Sequence, residues 1–142
     1  MNILVSACLL GVPCRYDGKS KEYNEILELI NENDVIPICP EVLGGLSTPR
    51  PKSEIQADGR VFNENGDDVT EYFKTGAYET LKIAKFYDAD LVILKSKSPS
   101  CGVKKVYDGS FSGNLIDGNG ITADLLIKNG FKVITEEDLK KE

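Results

Sequence analysis

Histidine is absent from this chain of 142 residues. Its absence excludes Ser-His-Asp and Cys-His catalysis, and it removes the commonest protein ligand of catalytic zinc. Any acid–base chemistry must therefore come from aspartate, glutamate, lysine, tyrosine, cysteine, serine or water.

Positive charge is in short supply as well. The chain has 17 lysines and arginines against 23 aspartates and glutamates, for a net charge of −6 at pH 7. This balance argues against binding to polymeric nucleic acid, which requires a basic face, but it does not exclude a single nucleobase or nucleoside. No apolar run is long enough to cross a membrane, so no membrane partner is expected.

The composition is typical of a globular protein, with 41% hydrophobic and 28% charged residues. We expect one domain over residues 1–142, which at this length can bury roughly 68–70% of its unfolded surface without disulfides. No secretory leader is recognised before Cys8, because the seven preceding residues include no basic residue and no full apolar segment. We expect a cytoplasmic location, where spaced cysteines indicate a metal site or catalysis more often than disulfides.

Short apolar strands alternate with helical patterns, which predicts an α/β fold of three layers with a mainly parallel sheet, similar to Rossmann and flavodoxin folds. Strands are predicted at residues 2–7, 35–38, 91–94 and 131–134. Asp58-Gly59 predicts the turn of a small β-hairpin over residues 54–62. Helices are predicted to follow the N-caps Ser20, Asp68, Thr122 and Thr135, the last together with Asp138.

Three further features refine this prediction. Pro37 lacks an N–H, so its strand should lie at a sheet edge or carry a bulge. Gly76 lies inside the long helix after Asp68, where it costs about 1 kcal/mol relative to alanine, and it predicts close packing there. Residues 95–120 are predicted to form a long loop with a brief strand at 106–107. Gly130 is predicted to end the helix that begins at Thr122.

Three of the four cysteines follow predicted strands: Cys8 the first, Cys39 the second and Cys101 the third. The carboxyl ends of parallel strands lie at one edge of a sheet, so these thiols can meet there. Without histidine, three thiolates favour a soft metal in the form of an iron–sulfur cluster, zinc or copper(I), although a buried cysteine can also be a plain apolar residue. Cys14 is either a fourth ligand or a bystander, and we predict a bystander.

Polar residues beside these cysteines are candidates for chemistry. Glu41, two residues after Cys39, could activate water as a general base, or it could be an N-cap or a surface carboxylate. Ser96, Ser98 and Ser100 could contact a cluster or hold a substrate, or they could serve ordinary turns.

Arg15 and Asp17 could orient a substrate or pair with each other, and Arg50 could bind an anion or a carbonyl or simply be a surface residue. Cys8 and Arg15 also resemble the phosphate-binding loop of low-molecular-weight phosphatases. That loop has five intervening residues, whereas this chain has six, one of them a proline without an N–H. A phosphatase-like enzyme and a non-enzymatic iron–sulfur or zinc binding module are therefore kept as alternatives.

Several motifs together resemble the thiouracil desulfidase family, formerly classed as a domain of unknown function, over nearly the whole chain. They are Ser-Ala-Cys-Leu-Leu-Gly with Arg-Tyr-Asp-Gly at 6–18, Cys-Pro-Glu at 39–41, Pro-Arg-Pro at 49–51, Lys-Ser-Lys-Ser-Pro-Ser-Cys-Gly at 95–102 and Gly-Ile-Thr-Ala at 120–123. The resemblance implies a [4Fe-4S] cluster held by Cys8, Cys39 and Cys101, and non-redox removal of sulfur from a thiolated pyrimidine. Many relatives carry a residue other than cysteine at the position of Cys14.

The resulting hypothesis has three parts. The open iron of the cluster acts as a Lewis acid toward the thiocarbonyl sulfur, and Glu41 activates the attacking water while Ser98 or Ser100 holds the substrate. The expected partner is a small thiolated nucleobase such as 2-thiouracil or a similar thioamide, and the protein is expected to be a monomer or a weak homodimer. The substrate site is predicted to include Arg15, Asp17, Arg50 and Ser96.

Overall fold

The computed structural model describes residues 1–139. The last three residues of the predicted domain, 140–142, lie outside the described part. Within residues 1–139, no helix combines the length and the apolar character needed to span a membrane.

Within residues 1–139, eight strands form one parallel sheet and two antiparallel hairpins. The central sheet has four strands in the spatial order β2-β1-β5-β8, all parallel. The strands are β1 (Asn2–Ser6), β2 (Asp34–Ile38), β3 (Ser53–Ile55), β4 (Val61–Asn63), β5 (Leu91–Leu94), β6 (Lys105–Tyr107), β7 (Leu115–Asp117) and β8 (Val133–Thr135).

Helices cover both faces of this sheet. They are α1 (Asn24–Leu27), α2 (Pro40–Leu43), α3 (Thr70–Phe86), α4 (Ile121–Lys128) and α5 (Glu136–Leu139). Successive residues of β1 point to opposite faces, so Leu4 packs in one core with residues of α3 and α4, whereas Ile3 and Val5 pack in another with Ile26 of α1. The predicted three-layer α/β fold is confirmed. Pro37 lies on β2, which is an edge strand, as its missing N–H predicted.

The hairpin prediction was correct for one hairpin and incomplete for the other. β3 and β4 pair antiparallel around Asp58 and Gly59, the latter at φ +89°, where glycine is favoured. β6 pairs with β7 inside the segment that was predicted as a long loop with one brief strand. The residues of β7 are all exposed and show no alternation of apolar and polar side chains, so the sequence carries no signal for this strand.

The first helix is shorter than predicted. It begins at Asn24, with Tyr23 rather than Ser20 in the preceding N-cap position. From Glu28 to Asn31 the chain continues as a 3-10 helix with about three residues per turn, and the 3.6-residue period no longer holds. Ile30, which lies in this 3-10 segment, is 52% exposed.

Two of the predicted N-caps are also corrected. The residue before α3 is Val69, and Asp68 lies one position earlier, where its Oδ1 accepts the Thr70 N–H at 3.0 Å. The residue before α4 is Gly120, so Thr122 lies inside the first turn. In both cases a polar residue near the N-cap position was predicted to be the N-cap residue itself.

Two helix boundaries were predicted correctly. Thr135 and Asp138 begin α5, with the Thr135 N–H donating to Asp138 Oδ2 at 3.0 Å and Thr135 Oγ1 accepting the Glu137 N–H at 3.3 Å. Gly130 follows the end of α4 at φ +88°.

Close packing at Gly76 is confirmed, and it positions a helix that the sequence did not reveal. A Cβ atom on Gly76 would lie 2.0 Å from the carbonyl oxygen of Pro40, and one on Gly44 would lie 2.0 Å from that of Tyr72. Glycine at both places lets α2 rest directly on α3. The contact fixes the short helix that carries Glu41.

Candidate functional site

A cavity of about 280 Å³ opens at the carboxyl edge of the parallel sheet. The ends of β1, β2 and β5 supply its floor, and the loops that follow them supply its walls. All four cysteines line it: Cys8, Cys14, Cys39 and Cys101. The convergence of the three strand-end cysteines at one edge is therefore observed.

Each of the three strand-end cysteines is set by local structure. Cys8 lies in a 3-10 turn, Ala7–Leu10, that begins where β1 ends. Cys39 directly precedes the proline that begins α2. Cys101 ends the 95–100 loop and is 5% exposed, against 6% for Cys8. Their ligand role remains a prediction.

Cys14 lies close to the three strand-end cysteines, although it was predicted to be a bystander. Its thiol is in hydrogen-bonding contact with the thiols of Cys39 and Cys8. The Cys39 thiol also lies 3.7 Å from the carbonyl oxygen of Cys14. The structure thus brings four thiols together instead of three, and the prediction that Cys14 is not a ligand remains to be tested.

The pKa values of three of the thiols are raised, which favours their neutral form. Burial, with a further contribution from the charge of Glu41, raises the pKa of Cys101 to about 12. The hydrogen bond with Cys14, followed by burial, raises the pKa of Cys39 far above its ordinary value. For Cys14, the hydrogen bond with Cys39 lowers the pKa, but the bond with Cys8 and burial outweigh it. A metal centre must displace these protons when it binds.

The donor set fits an iron–sulfur cluster. Within residues 1–139, no group of three or more cysteine, aspartate or glutamate side chains is arranged to hold a single metal ion. The cysteine sulfurs around a four-iron cluster lie roughly 6–7 Å apart, a wider arrangement than a zinc ion tolerates. Thiolates are also the ordinary protein ligands of such clusters.

The cavity is basic although the protein is acidic. Its lining holds six basic side chains, and Glu41 is the one acidic side chain among the described lining residues. This concentration of positive charge favours thiolate ligands and any anion that enters the cavity. The basic residues are Arg15, Lys21, Arg50, Lys52, Lys95 and Lys97.

Glu41 lies in the first turn of α2, at the wall beside Cys39. Its Oε1 accepts a hydrogen bond from Arg50 Nε at 3.0 Å, in an ion pair whose side chains are 15% and 5% exposed. No hydrogen bond from residues 1–139 engages Oε2. Glu41 therefore has one carboxylate oxygen held by the protein and one available to a ligand.

The three candidate serines have different surroundings. Ser96 lines the cavity, but its hydroxyl donates to Glu136 Oε2 at 2.7 Å. Ser100 is 1% exposed, does not line the cavity, and shares a hydrogen bond of 2.7 Å with Thr122. Ser98 lines the cavity, and its Oγ accepts the N–H groups of Ser100 and Cys101 at 3.1 and 3.0 Å. Among these three serines, Ser98 is the one that lines the cavity and donates its hydroxyl proton to no other group within residues 1–139.

Arg15 and Asp17 form an ion pair, but only one of the two lines the cavity. Arg15 lines the cavity, whereas Asp17 does not. Asp17 lies 4.0 Å from the Arg15 guanidinium and accepts the Lys19 N–H at 3.0 Å. Asp17 is thus placed to hold the loop and to orient Arg15.

Sequence reasoning missed two residues that support the site, Ser6 and Glu136. Ser6 accepts the Lys95 N–H at 3.0 Å and contacts the Cys101 sulfur at 3.7 Å. Glu136 is 2% exposed, accepts the Ser96 N–H at 2.7 Å and pairs with Lys95 at 3.5 Å. No spacing in the sequence links residues 95 and 136. Glu136 could only be interpreted as part of the terminal helix cap.

Comparisons with known proteins agree with this arrangement. The chain matches the model of the 2-thiouracil desulfurase family over residues 3–138. It is 44% identical over 146 residues to the uncharacterized protein YbbK of Bacillus subtilis (strain 168), covering 96% of this chain and 97% of that protein. It is also similar to the solved structure of the [4Fe-4S]-dependent thiouracil desulfidase TudS, with 43% identity and a TM-score of 0.92, over 99% of this chain and 93% of the other.

The resemblance inferred from the motifs is thus confirmed over almost the whole described chain. The same comparisons favour the desulfidase interpretation over the phosphatase-like and binding-module alternatives. The chain belongs to the 2-thiouracil desulfurase family.

Proposed function

We propose that this protein is a [4Fe-4S]-dependent desulfidase that removes sulfur from a thiolated pyrimidine such as 2-thiouracil. The observation that carries the proposal is one basic cavity in which four thiols meet a carboxylate with an unshared oxygen. Family membership and the similarity to TudS, which is described as a thiouracil desulfidase, support it.

Cys8, Cys39 and Cys101 would hold the cluster, with Cys14 beside them. When bound with three protein ligands, the cluster would supply a Lewis-acidic iron with affinity for sulfur. Because their surroundings raise the pKa values of Cys39 and Cys101, binding of a cluster would release protons from these two thiols, and the basic side chains of the cavity would favour the resulting thiolates.

We assign to Glu41 the role of general base toward the attacking water molecule. With Oε1 held by Arg50, Oε2 is free to accept a proton from a water molecule in the cavity. That water attacks the ring carbon bonded to sulfur, forming a C–O bond as the C–S bond breaks. The oxygen of the product comes from water, sulfur leaves as hydrogen sulfide, and no electrons are consumed.

Ser98 and the basic side chains are assigned to binding. The Ser98 hydroxyl can donate to a ring nitrogen or carbonyl of the substrate, because its oxygen already accepts two backbone N–H groups that fix its position. Arg15 and Lys95 can stabilise the negative charge that builds on sulfur as the C–S bond breaks. The partner is a small thiolated nucleobase, and a monomer or weak homodimer in the reducing cytoplasm remains our expectation.

The test is anaerobic reconstitution of the wild-type protein with iron and sulfide, followed by incubation with 2-thiouracil without a reductant. We expect about four irons per chain and release of sulfide and uracil in equal amounts. A loaded protein that releases no sulfide from any thiopyrimidine would favour another thioamide substrate or the non-enzymatic iron–sulfur module.

A further inference from the structure

We propose that Arg50 is a positioning residue for Glu41 instead of a substrate ligand. It is a clasp that fixes the free oxygen of Glu41 and the loop around Cys14 in one arrangement. This inference rests on the desulfidase function proposed above, and it replaces the substrate-binding role that the sequence suggested for Arg50.

The contacts of Arg50 carry the inference. Its Nε donates to Glu41 Oε1 at 3.0 Å, and its Nη2 donates to the carbonyl oxygen of Cys14 at 3.0 Å. Its Nη1 donates to the carbonyl oxygen of Ser47 and to Thr48 Oγ1, both at 3.1 Å. All three nitrogens of the guanidinium are thus engaged by the protein itself.

Because the Arg50 guanidinium is buried, it needs hydrogen-bond acceptors from the protein. The Arg50 side chain is only 5% exposed, so its charge and its N–H groups depend on these four acceptors. Within residues 1–139 these bonds use four of the five N–H groups of the guanidinium, so a ligand that accepted more than one N–H would have to displace a protein acceptor. Lys95 and Lys97, which are 19% and 44% exposed, are more available to a ligand than Arg50 is.

The geometry also shows what the clasp does. Arg50 joins two separate parts of the cavity wall, the α2 helix that carries Glu41 and the loop that carries Cys14. Its backbone N–H adds a third tie, to the carbonyl oxygen of Tyr16 at 2.8 Å. A planar guanidinium fixes several acceptors at defined angles, which a lysine ammonium cannot do.

The first experiment compares Arg50→Met with Arg60→Met in the cluster-loaded protein. Arg60 is a matched control because it makes an ion pair of 2.8 Å with Asp58, but on the surface, with a side chain that is 58% exposed. For Arg50→Met we expect normal iron content and a kcat lower by about 10–100-fold, with KM changed by less than about threefold. Arg60→Met should match the wild type. A higher KM with an unchanged kcat would show that Arg50 binds substrate and would overturn the inference.

The second experiment is a double-mutant cycle with Glu41→Gln. If Arg50 acts through Glu41, Arg50→Met should slow the Glu41→Gln enzyme by less than about threefold, because the group it positions has already lost its function. Multiplicative losses would show independent roles and would contradict the inference. Should Arg50→Met fail to fold, Arg50→Lys takes its place, with an expected kcat loss of about tenfold.

The third experiment does not depend on activity. In the cluster-free protein, backbone hydrogen exchange of residues 14–18 should be faster by about tenfold in Arg50→Met than in the wild type, and unchanged in Arg60→Met. Unchanged exchange in Arg50→Met would overturn the clasp. If wild-type protein releases no sulfide while exchange accelerates as expected, the proposed function fails and the clasp on the Cys14 loop stands.

Discussion

The two walls of the cavity use their polar residues in opposite ways. The Cys101 wall, made of Ser96, Ser98 and Cys101 with Ser100 buried behind them, directs most of its hydroxyls inward, to Glu136, to Thr122 and to backbone N–H groups. The Cys39 wall, made of Cys14, Cys39, Glu41 and Arg50, keeps one carboxylate oxygen of Glu41 open to the cavity. The motif richest in serine is thus mainly a support, and the general base that we propose, Glu41, lies on the opposite wall.

The difference follows from what a buried polar group requires. A hydroxyl removed from water must find a partner inside the protein or lose about 1–3 kcal/mol. Ser96 and Ser100 have found such partners in Glu136 and Thr122, and as a result they have little to offer a substrate. A carboxylate held at one oxygen by a buried arginine keeps its charge compensated and retains a second oxygen for chemistry.

The largest effect should come from the cysteines, because both walls must contribute ligands. Cys8→Ala, Cys39→Ala and Cys101→Ala should each abolish iron binding and activity after anaerobic reconstitution, whereas Cys14→Ala should retain iron. Iron analysis and the optical spectrum are the measurements. Loss of iron in Cys14→Ala would make Cys14 the fourth ligand and would close the position that the substrate requires.

Glu41→Gln should give the second largest effect. Removing the general base should lower kcat by about 10²–10⁴-fold with normal iron content. Ser100→Ala, on the opposite wall, should lower it by much less, because its hydroxyl is bonded to Thr122 outside the cavity lining. The measurement is the rate of sulfide release. Equal losses of kcat in the two variants would show that the two walls do not differ in this way.

Glu136→Gln tests the support of the Cys101 wall. The variant should be destabilised by about 1–3 kcal/mol, because the amide weakens the ion pair with Lys95 and presents a donor where an acceptor is needed. Glu137→Gln is the matched control, since its pair with Lys97 is exposed and 3.8 Å long. Urea denaturation of the two cluster-free variants is the measurement. Equal stabilities would show that Glu136 does not support this wall.

Ser98→Ala should have the smallest effect on the fold. It removes the acceptor of two backbone N–H groups, and the loss should be about 1 kcal/mol with normal iron content. Ser20→Ala is the control, since Ser20 makes no hydrogen bond with its hydroxyl within residues 1–139. Ser98→Ala should also raise KM if its hydroxyl holds the substrate. An unchanged KM would leave Ser98 as support, like its neighbours.

The strands of the sheet could be predicted from the sequence because short, local patterns of residues specify them. Runs such as Leu91–Leu94 are apolar over their whole length, and Pro37 could be placed at an edge because it lacks an N–H. The convergence of three cysteines followed from the topology of parallel strands. Their proximity could be predicted without any knowledge of side-chain contacts.

What the sequence could not predict depends on contacts between distant segments. The pairing of Glu136 with Ser96 and the clasp from Arg50 to Cys14 join residues whose numbers differ by 40 and by 36. The position of Cys14 beside Cys39 depends on how a loop closes, and no periodic pattern records that. Thr122 was mistaken for a cap because its true role, a bond to Ser100, is also long-range.

The central claim is that loaded protein exchanges sulfur for a water oxygen at this cavity without electron transfer. The most direct test is a single turnover of cluster-loaded protein with 2-thiouracil in H₂¹⁸O, without a reductant, with the uracil analysed by mass spectrometry. We predict uracil that carries the ¹⁸O label at the carbon that held sulfur, with one sulfide formed per uracil. Unlabelled product, or turnover only when a reductant is added, would contradict the account.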